Sequence, residues 1–187
     1  MIRFLRFIGL FLQDFIETIV TALVIFVIFY LFLFQPHQVK GKSMIPAFED
    51  AEYLLTNKIT YRFNNPQRGD IVIFKSPQNK KYDYIKRIIA LPGEKISLKD
   101  GKIFINGSSL NESLYLPENI YTKGGNFLAE EKELEIPENQ YFVVGDNRLN
   151  SSDSREWGYI TMENIIGKAW LIYWPPSKFG FIPKIDW

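Results

Sequence analysis

Seventeen consecutive uncharged residues, Thr18 to Phe34, constrain this chain more than any other feature. The longer run Ile16–Phe34 reads IETIVTALVIFVIFYLFLF and carries one charge, Glu17, at its edge. A helix built from it is apolar on every face, so it is buried or it sits in lipid. A membrane-spanning helix needs roughly 17–25 such residues. The preceding stretch, Phe4 to Leu12, is also mostly apolar and either extends that helix or lies in the interface. A removable export signal has a shorter apolar part and a small-residue A-x-A site. This run is long, bulky and aromatic, and it continues into Gln35-Pro36-His37-Gln38-Val39. The sequence therefore predicts a retained anchor rather than a removable signal or a buried soluble helix. Arg3 and Arg6 precede the run and Lys40 and Lys42 follow it. That near balance favours a cytoplasmic N-terminus only slightly.

Beyond Pro36 the texture changes to short apolar runs separated by turn residues, the pattern of an all-β domain. Tyr53-Leu54-Leu55, Ile71–Phe74, Tyr141–Val144 and Ala169–Trp174 read as strands, and Thr161–Ile165 as a short helical turn. Lys95–Leu98 and Ile103–Ile105 flank Asp100-Gly101, a strong hairpin signal because type I′ turns need positive φ. Asn106-Gly107 supplies a second turn. Ser108–Gln140 is polar and irregular, and its glutamates Glu130, Glu131 and Glu133 read as a solvated loop. The expected organisation is an anchor over residues 1–35 and a β domain over 36–187.

Composition narrows the chemistry. The chain has no cysteine and one histidine, His37. That excludes a cysteine nucleophile, a disulfide framework and a thiolate or multi-histidine zinc site. A Ser-His-Asp triad would need His37, three residues past Phe34, in a rigid seat with an orienting carboxylate. A serine nucleophile here is better matched to a lysine base. A net charge of +1 gives no sign of a nucleic-acid partner.

Three segments carry candidate residues. Ser43 lies in Gly41-Lys42-Ser43-Met44-Ile45-Pro46, where Pro46 biases Ile45 to an extended shape and Gly41 permits close backbone approach. Such a turn can aim a hydroxyl and backbone N–H groups at one point, and taken alone it also fits a purely structural turn. Lys86 lies in Tyr84-Ile85-Lys86-Arg87-Ile88-Ile89. On a strand it shares a face with Tyr84 and Ile88 while Arg87 points the other way. Alternation does not choose which of the two is buried, and an edge lysine with a solvated head fits equally. Gly145–Gly158, GDNRLNSSDSREWG, follows an apolar strand. There Asp153 has Arg155 as a partner, and Asp146 has Arg148 or Arg155.

Together these segments resemble the bacterial type I signal peptidases, membrane-bound serine–lysine endopeptidases. The G-x-S-M-x-P block is Gly41–Pro46, and R-G-D-[IV]-V is Arg68–Val72. The lysine block runs from Tyr84 to Glu94, YIKRIIALPGE, and the last block, G-D-N-R-x-x-S-x-D-S-R-x-x-G, is complete from Gly145 to Gly158. The resemblance implies a mainly β fold: a single N-terminal transmembrane helix followed by a mostly antiparallel β catalytic domain on the outer side of the cytoplasmic membrane. It implies Ser43 as nucleophile, Lys86 as general base, Ser151 as the residue orienting the lysine, and Asp153 with Arg155 as a structural ion pair. The implied partners are signal-peptide-bearing preproteins and the lipid bilayer, with no cofactor and no metal. Gly41 stands where some members carry a serine that helps form the oxyanion hole, which leaves the Ser43 N–H and a neighbouring backbone group of the turn. Leu149 replaces a common aspartate. Met44 and Pro46 are candidate walls of a substrate pocket, core filler, or both. The competing readings are a self-cleaving serine–lysine regulator and a catalytically silent, membrane-tethered β module that binds exported proteins.

Overall fold

The computed structural model describes residues 2–187 apart from Asn119 and Asp186, with the side chains of residues 2–5, 7 and 31 outside the description. The side chain of Arg3, used in the charge count, thus lies outside the description. Helix α1 (Ile2–Leu33) is continuous, so the residues before Ile16 extend it. At 1.5 Å per residue it is about 48 Å long. Its segment Ile8–Tyr30 has a mean hydropathy of 2.0 with none of it buried, which makes it long and apolar enough to cross a membrane. That segment begins and ends earlier than the sequence pattern suggests, and it includes Asp14 as well as Glu17.

Phe34 does not belong to the helix. Strand β1 (Phe34–Gln38) starts there and pairs antiparallel with β2 (Tyr53–Asn57), Phe34 opposite Asn57 and Gln38 opposite Tyr53. Pro36 sits in β1 because that strand is the sheet edge, where a missing N–H costs no ladder bond. The stretch after the helix is therefore largely strand. The Lys58 N–H bonds the Leu33 carbonyl at 3.0 Å, and Phe34 stacks on Trp170 at 5.0 Å, tying helix to domain.

A short helix α2 (Thr60–Phe63) leads to β3 (Ile71–Lys75) and β4 (Asp83–Ala90). Then come the hairpin β5 (Lys95–Lys99) and β6 (Lys102–Ile105), and the short strands β7 (Ser108–Ser109) and β8 (Glu133–Glu135). The chain continues through β9 (Gln140–Val144), helix α3 (Ser154–Trp157), β10 (Ile160–Thr161), β11 (Ile165–Trp174) and β12 (Gly180–Phe181). The larger sheet has the order β1-β2-β11-β3-β4-β9-β10, with β12 on β11; the smaller is β7-β6-β5-β8. Every pairing is antiparallel, as the hairpin-rich sequence predicts. Asp100 and Gly101 take φ of 50° and 70° and close the β5–β6 hairpin between Lys99 and Lys102.

Ser108–Gln140 is less irregular than its composition suggests. It holds β7 and β8 and buries Leu116, Leu128 and Ile136, while Glu130, Glu131 and Glu133 are exposed. Leu128 and Ile136 join Ile89, Ile96, Leu98 and Phe142 in one core cluster. A second cluster, with Met44, Phe48, Leu54, Ile71 and Ile73, lies beneath the Ser43 turn. A third, with Val72, Phe74, Ile88 and Val143, lies on the other face of β3 and β4.

Candidate active site

Apolar anchors shape the turn that carries Ser43. Met44 and Phe48 are buried, and the Phe48 N–H closes the turn on the Met44 carbonyl at 2.9 Å. Burying these side chains leaves Ser43 half-buried at the surface. Gly41 has φ of +88°, a left-handed conformation open to glycine, and nothing stands within 4 Å of where a Cβ would be. Its N–H donates to Asp50 Oδ1 at 2.7 Å, so Gly41 shapes the turn and supplies no oxyanion donor. The Ser43 N–H makes no hydrogen bond to the described residues. Met44 is fully buried in the core, which matches the core-filler alternative of its sequence reading. Pro46 is exposed and borders a separate cavity of about 540 Å³, away from the Ser43–Lys86 slot.

Lys86 and Arg87 are both buried, each 4% exposed. Alternation cannot separate them because β4 lies between β3 and β9 with core on both faces. Arg87 donates from Nε and Nη2 to both oxygens of Asp146, at 2.8 and 2.6 Å, and from Nη1 to the Gly69 carbonyl. On the opposite face Lys86 Nζ lies 2.8 Å from Ser43 Oγ and donates to the Ile85 carbonyl at 2.9 Å. Burial disfavours the ammonium and pulls the Lys86 pKa down to about 8, reinforced by Arg155 and opposed by Asp153 and Asp146. At pH 7–8 an appreciable fraction of this amine is neutral, with its lone pair at hydrogen-bond distance from a hydroxyl.

The loop after β9 braces the pair. The Asn147 N–H donates to the Ser43 carbonyl at 3.0 Å, and its side-chain amide donates to the Lys42 carbonyl at 2.9 Å. Gly145 permits this approach, since a Cβ there would collide with Ser151 Oγ and the Ser43 carbonyl. Asp153 accepts from Arg155 Nε at 2.8 Å and Nη2 at 2.7 Å, from the Gly145 N–H at 3.0 Å, and caps α3 through the Arg155 N–H. Arg155 in turn donates to the Lys123 and Arg148 carbonyls. Asp146 pairs with Arg87 rather than with the arginines of its own loop. Arg148 turns away to Glu112, Thr122 and Tyr115, tying the loop to the segment after β7. The hydrogen bond expected from Ser151 to Lys86 is not made: Ser151 Oγ is buried against Gly145 without a partner among the described residues. Leu149 is 69% exposed, so the aspartate it replaces would lie in solvent. Sequence reasoning missed the Asn147 clamp and the Ile85 carbonyl; Asn147 stood inside a matched block, whereas a backbone carbonyl leaves no side-chain signal.

A slot of about 230 Å³ opens beside the pair. Ser43 and Lys86 border it, Leu54 and Ile73 contribute apolar wall, and His37 and Asp83 also line it. From Asp83 to Lys86, β4 pairs only with β3, because β9 pairing begins at Arg87. That stretch of β4 keeps one unpaired edge along the slot.

Residues 12–174 match the family model for signal peptidase, peptidase S26. The chain is 36% identical to a probable signal peptidase I-1 of Synechocystis over 91% of this chain and 86% of that protein. It is 39% identical to a signal peptidase I of Bacillus caldolyticus over 81% and 85%, and 34% identical to a signal peptidase IB of Staphylococcus aureus over 90% and 94%. A signal peptidase I crystal structure from Enterococcus faecalis aligns at TM-score 0.47 and 34% identity, over 56% of this chain and 97% of that one. With this match over most of its length, the chain belongs to the signal peptidase family, peptidase S26, and is a serine endopeptidase.

Proposed function

We propose that this enzyme removes N-terminal signal peptides from exported preproteins at the outer face of the bacterial cytoplasmic membrane, with Ser43 as nucleophile and Lys86 as general base. The carrying observation is the 2.8 Å approach of a buried, pKa-depressed amine to a serine hydroxyl. The neutral Lys86 amine takes the Ser43 proton as Oγ attacks the scissile carbonyl, and the resulting ammonium returns it to the leaving amine. Water then attacks the acyl-enzyme with the same amine as base. The Ile85 carbonyl fixes the amine's direction, and the Asn147 clamp fixes the serine turn. The unengaged Ser43 N–H is the donor for the developing oxyanion. Ser151 Oγ lies against Gly145 near the Ser43 carbonyl, and Asp153 with Arg155 holds the loop that carries Gly145 and Ser151.

An extended peptide lying on the free edge of β4 would gain main-chain hydrogen bonds and reach Ser43 at the Lys86 end. The slot is smaller than an ordinary ligand site of roughly 300–1,000 Å³, which suits the small residues flanking a signal-peptide cut. Helix α1 spans the bilayer and holds residues 36–187 beside it, in the layer where an exported chain presents its cut site. The test is cleavage of a preprotein by the detergent-solubilised full chain, compared with Ser43→Ala and Lys86→Ala. Cutting by the parent and loss in both variants is expected. A silent parent, or a variant that cuts as well as the parent, sinks the dyad.

A further inference from the structure

His37 is the chain's one histidine, and the mechanism above does not use it. It sits on β1, across the slot from the free edge of β4. Its Nδ1 is 2.8 Å from the buried Thr56 hydroxyl, which fixes the ring. Its Nε2 is buried and makes no hydrogen bond; the nearest charge is Asp83 Oδ2 at 3.5 Å. Asp83 Oδ1 holds Lys75 at 2.6 Å, so that carboxylate is already neutralised. Burial lowers the His37 pKa below its usual value against the opposing pull of Asp83, leaving a neutral ring at neutral pH. One end of an otherwise largely apolar slot thus offers a buried ring nitrogen beside a carboxylate oxygen.

We propose that His37 and Asp83 form a specificity-determining polar end to the slot, which takes a serine or threonine side chain of the bound peptide in preference to an apolar isostere. The proposal rests on the slot being the peptide site. A hydroxyl that parts the 3.5 Å contact between the two groups accepts from His37 Nε2–H and donates to Asp83 Oδ2, satisfying both. A cationic side chain gains little, because Lys75 already holds Asp83. A carboxylate meets like charge. Asp83 lies three residues along β4 from Lys86, about 10 Å at 3.3 Å per residue. The selected residue is therefore about three positions from the scissile bond.

The experiment uses the detergent-solubilised full chain and a set of otherwise identical peptides carrying threonine or valine at each of the four positions on either side of the cut. One net hydrogen bond gives the parent a threonine preference of about threefold to tenfold in kcat/KM at a single position. His37→Leu and Asp83→Ala bring that ratio to about one. His37→Gln, whose amide reaches a similar point, restores most of it. Should His37→Leu fail to fold by its thermal melt, the Asp83→Ala and His37→Gln ratios decide. A parent with no such preference at any position, or a preference that survives both removals, overturns the assignment while leaving the Ser43–Lys86 site intact. A parent that cuts none of the peptides overturns the reading of the slot and this assignment with it.

Discussion

Replacing Lys86 by methionine tests the buried base through stability rather than rate. The folded protein holds the Lys86 proton less tightly than the unfolded chain does, since the pKa falls from 10.5 to about 8. Between those two values the unfolded chain binds more protons, so stability rises with pH across that window; below it the cost is constant. That cost corresponds to about 3 kcal/mol. Methionine removes it and also removes the contacts to Ser43 Oγ and the Ile85 carbonyl, at about 1 kcal/mol each. Lys86→Met is therefore about 1 kcal/mol more stable than the parent at pH 7, though inactive. By pH 10 the parent has recovered about 2–3 kcal/mol from this group, and the order reverses. Urea unfolding of both proteins in detergent, from pH 6 to 10, measures the difference, in which all other titrating groups cancel. A difference that stays flat across that range would refute a desolvated Lys86.

With Lys86 as the proposed general base, kcat/KM is expected to rise with pH, to be half-maximal near pH 8, and at pH 6 to lie about 100-fold below its plateau. A flat profile from pH 6 to 8 contradicts it. Gly145→Ala forces a methyl group into Ser151 Oγ and the Ser43 carbonyl, so peptide cleavage falls by about 100-fold or more while circular dichroism still reports the β fold. Asp153→Ala strands a buried guanidinium and uncaps α3, lowering stability by about 3–5 kcal/mol in urea titrations.

What the sequence discloses follows how local the physics is. Asp100-Gly101 dictates its own turn, so the β5–β6 hairpin is legible from a few residues. The Gly41–Pro46 and Tyr84–Glu94 blocks single out Ser43 and Lys86 as the candidate pair, yet the partner of each charge depends on tertiary packing. Arg87 and Lys86 are both buried because β4 is covered on both faces, which a period of two does not encode. Arg148 finds Glu112, 36 residues back in the sequence, across a segment that reads as featureless loop. Strand β1 is hidden because the apolar run of α1 flows into Phe34 and because Pro36 reads as a breaker until an edge position is known. For Met44 the sequence leaves pocket wall and core filler open, and the turn uses it as a buried anchor.

The direct passage from α1 into β1 has a mechanical consequence. Helix and edge strand are joined without a flexible spacer, and the Leu33 carbonyl and the Phe34 ring are both held by the domain. With α1 in a bilayer as proposed, any tilt of the helix would be passed to the sheet as rotation, and the height of Ser43 above the lipid would be set by the helix rather than by a swinging arm. An enzyme anchored in this proposed way would work as a ruler: of several similar small-residue sequences on one passing chain, it would cut the one lying at the measured distance from the membrane.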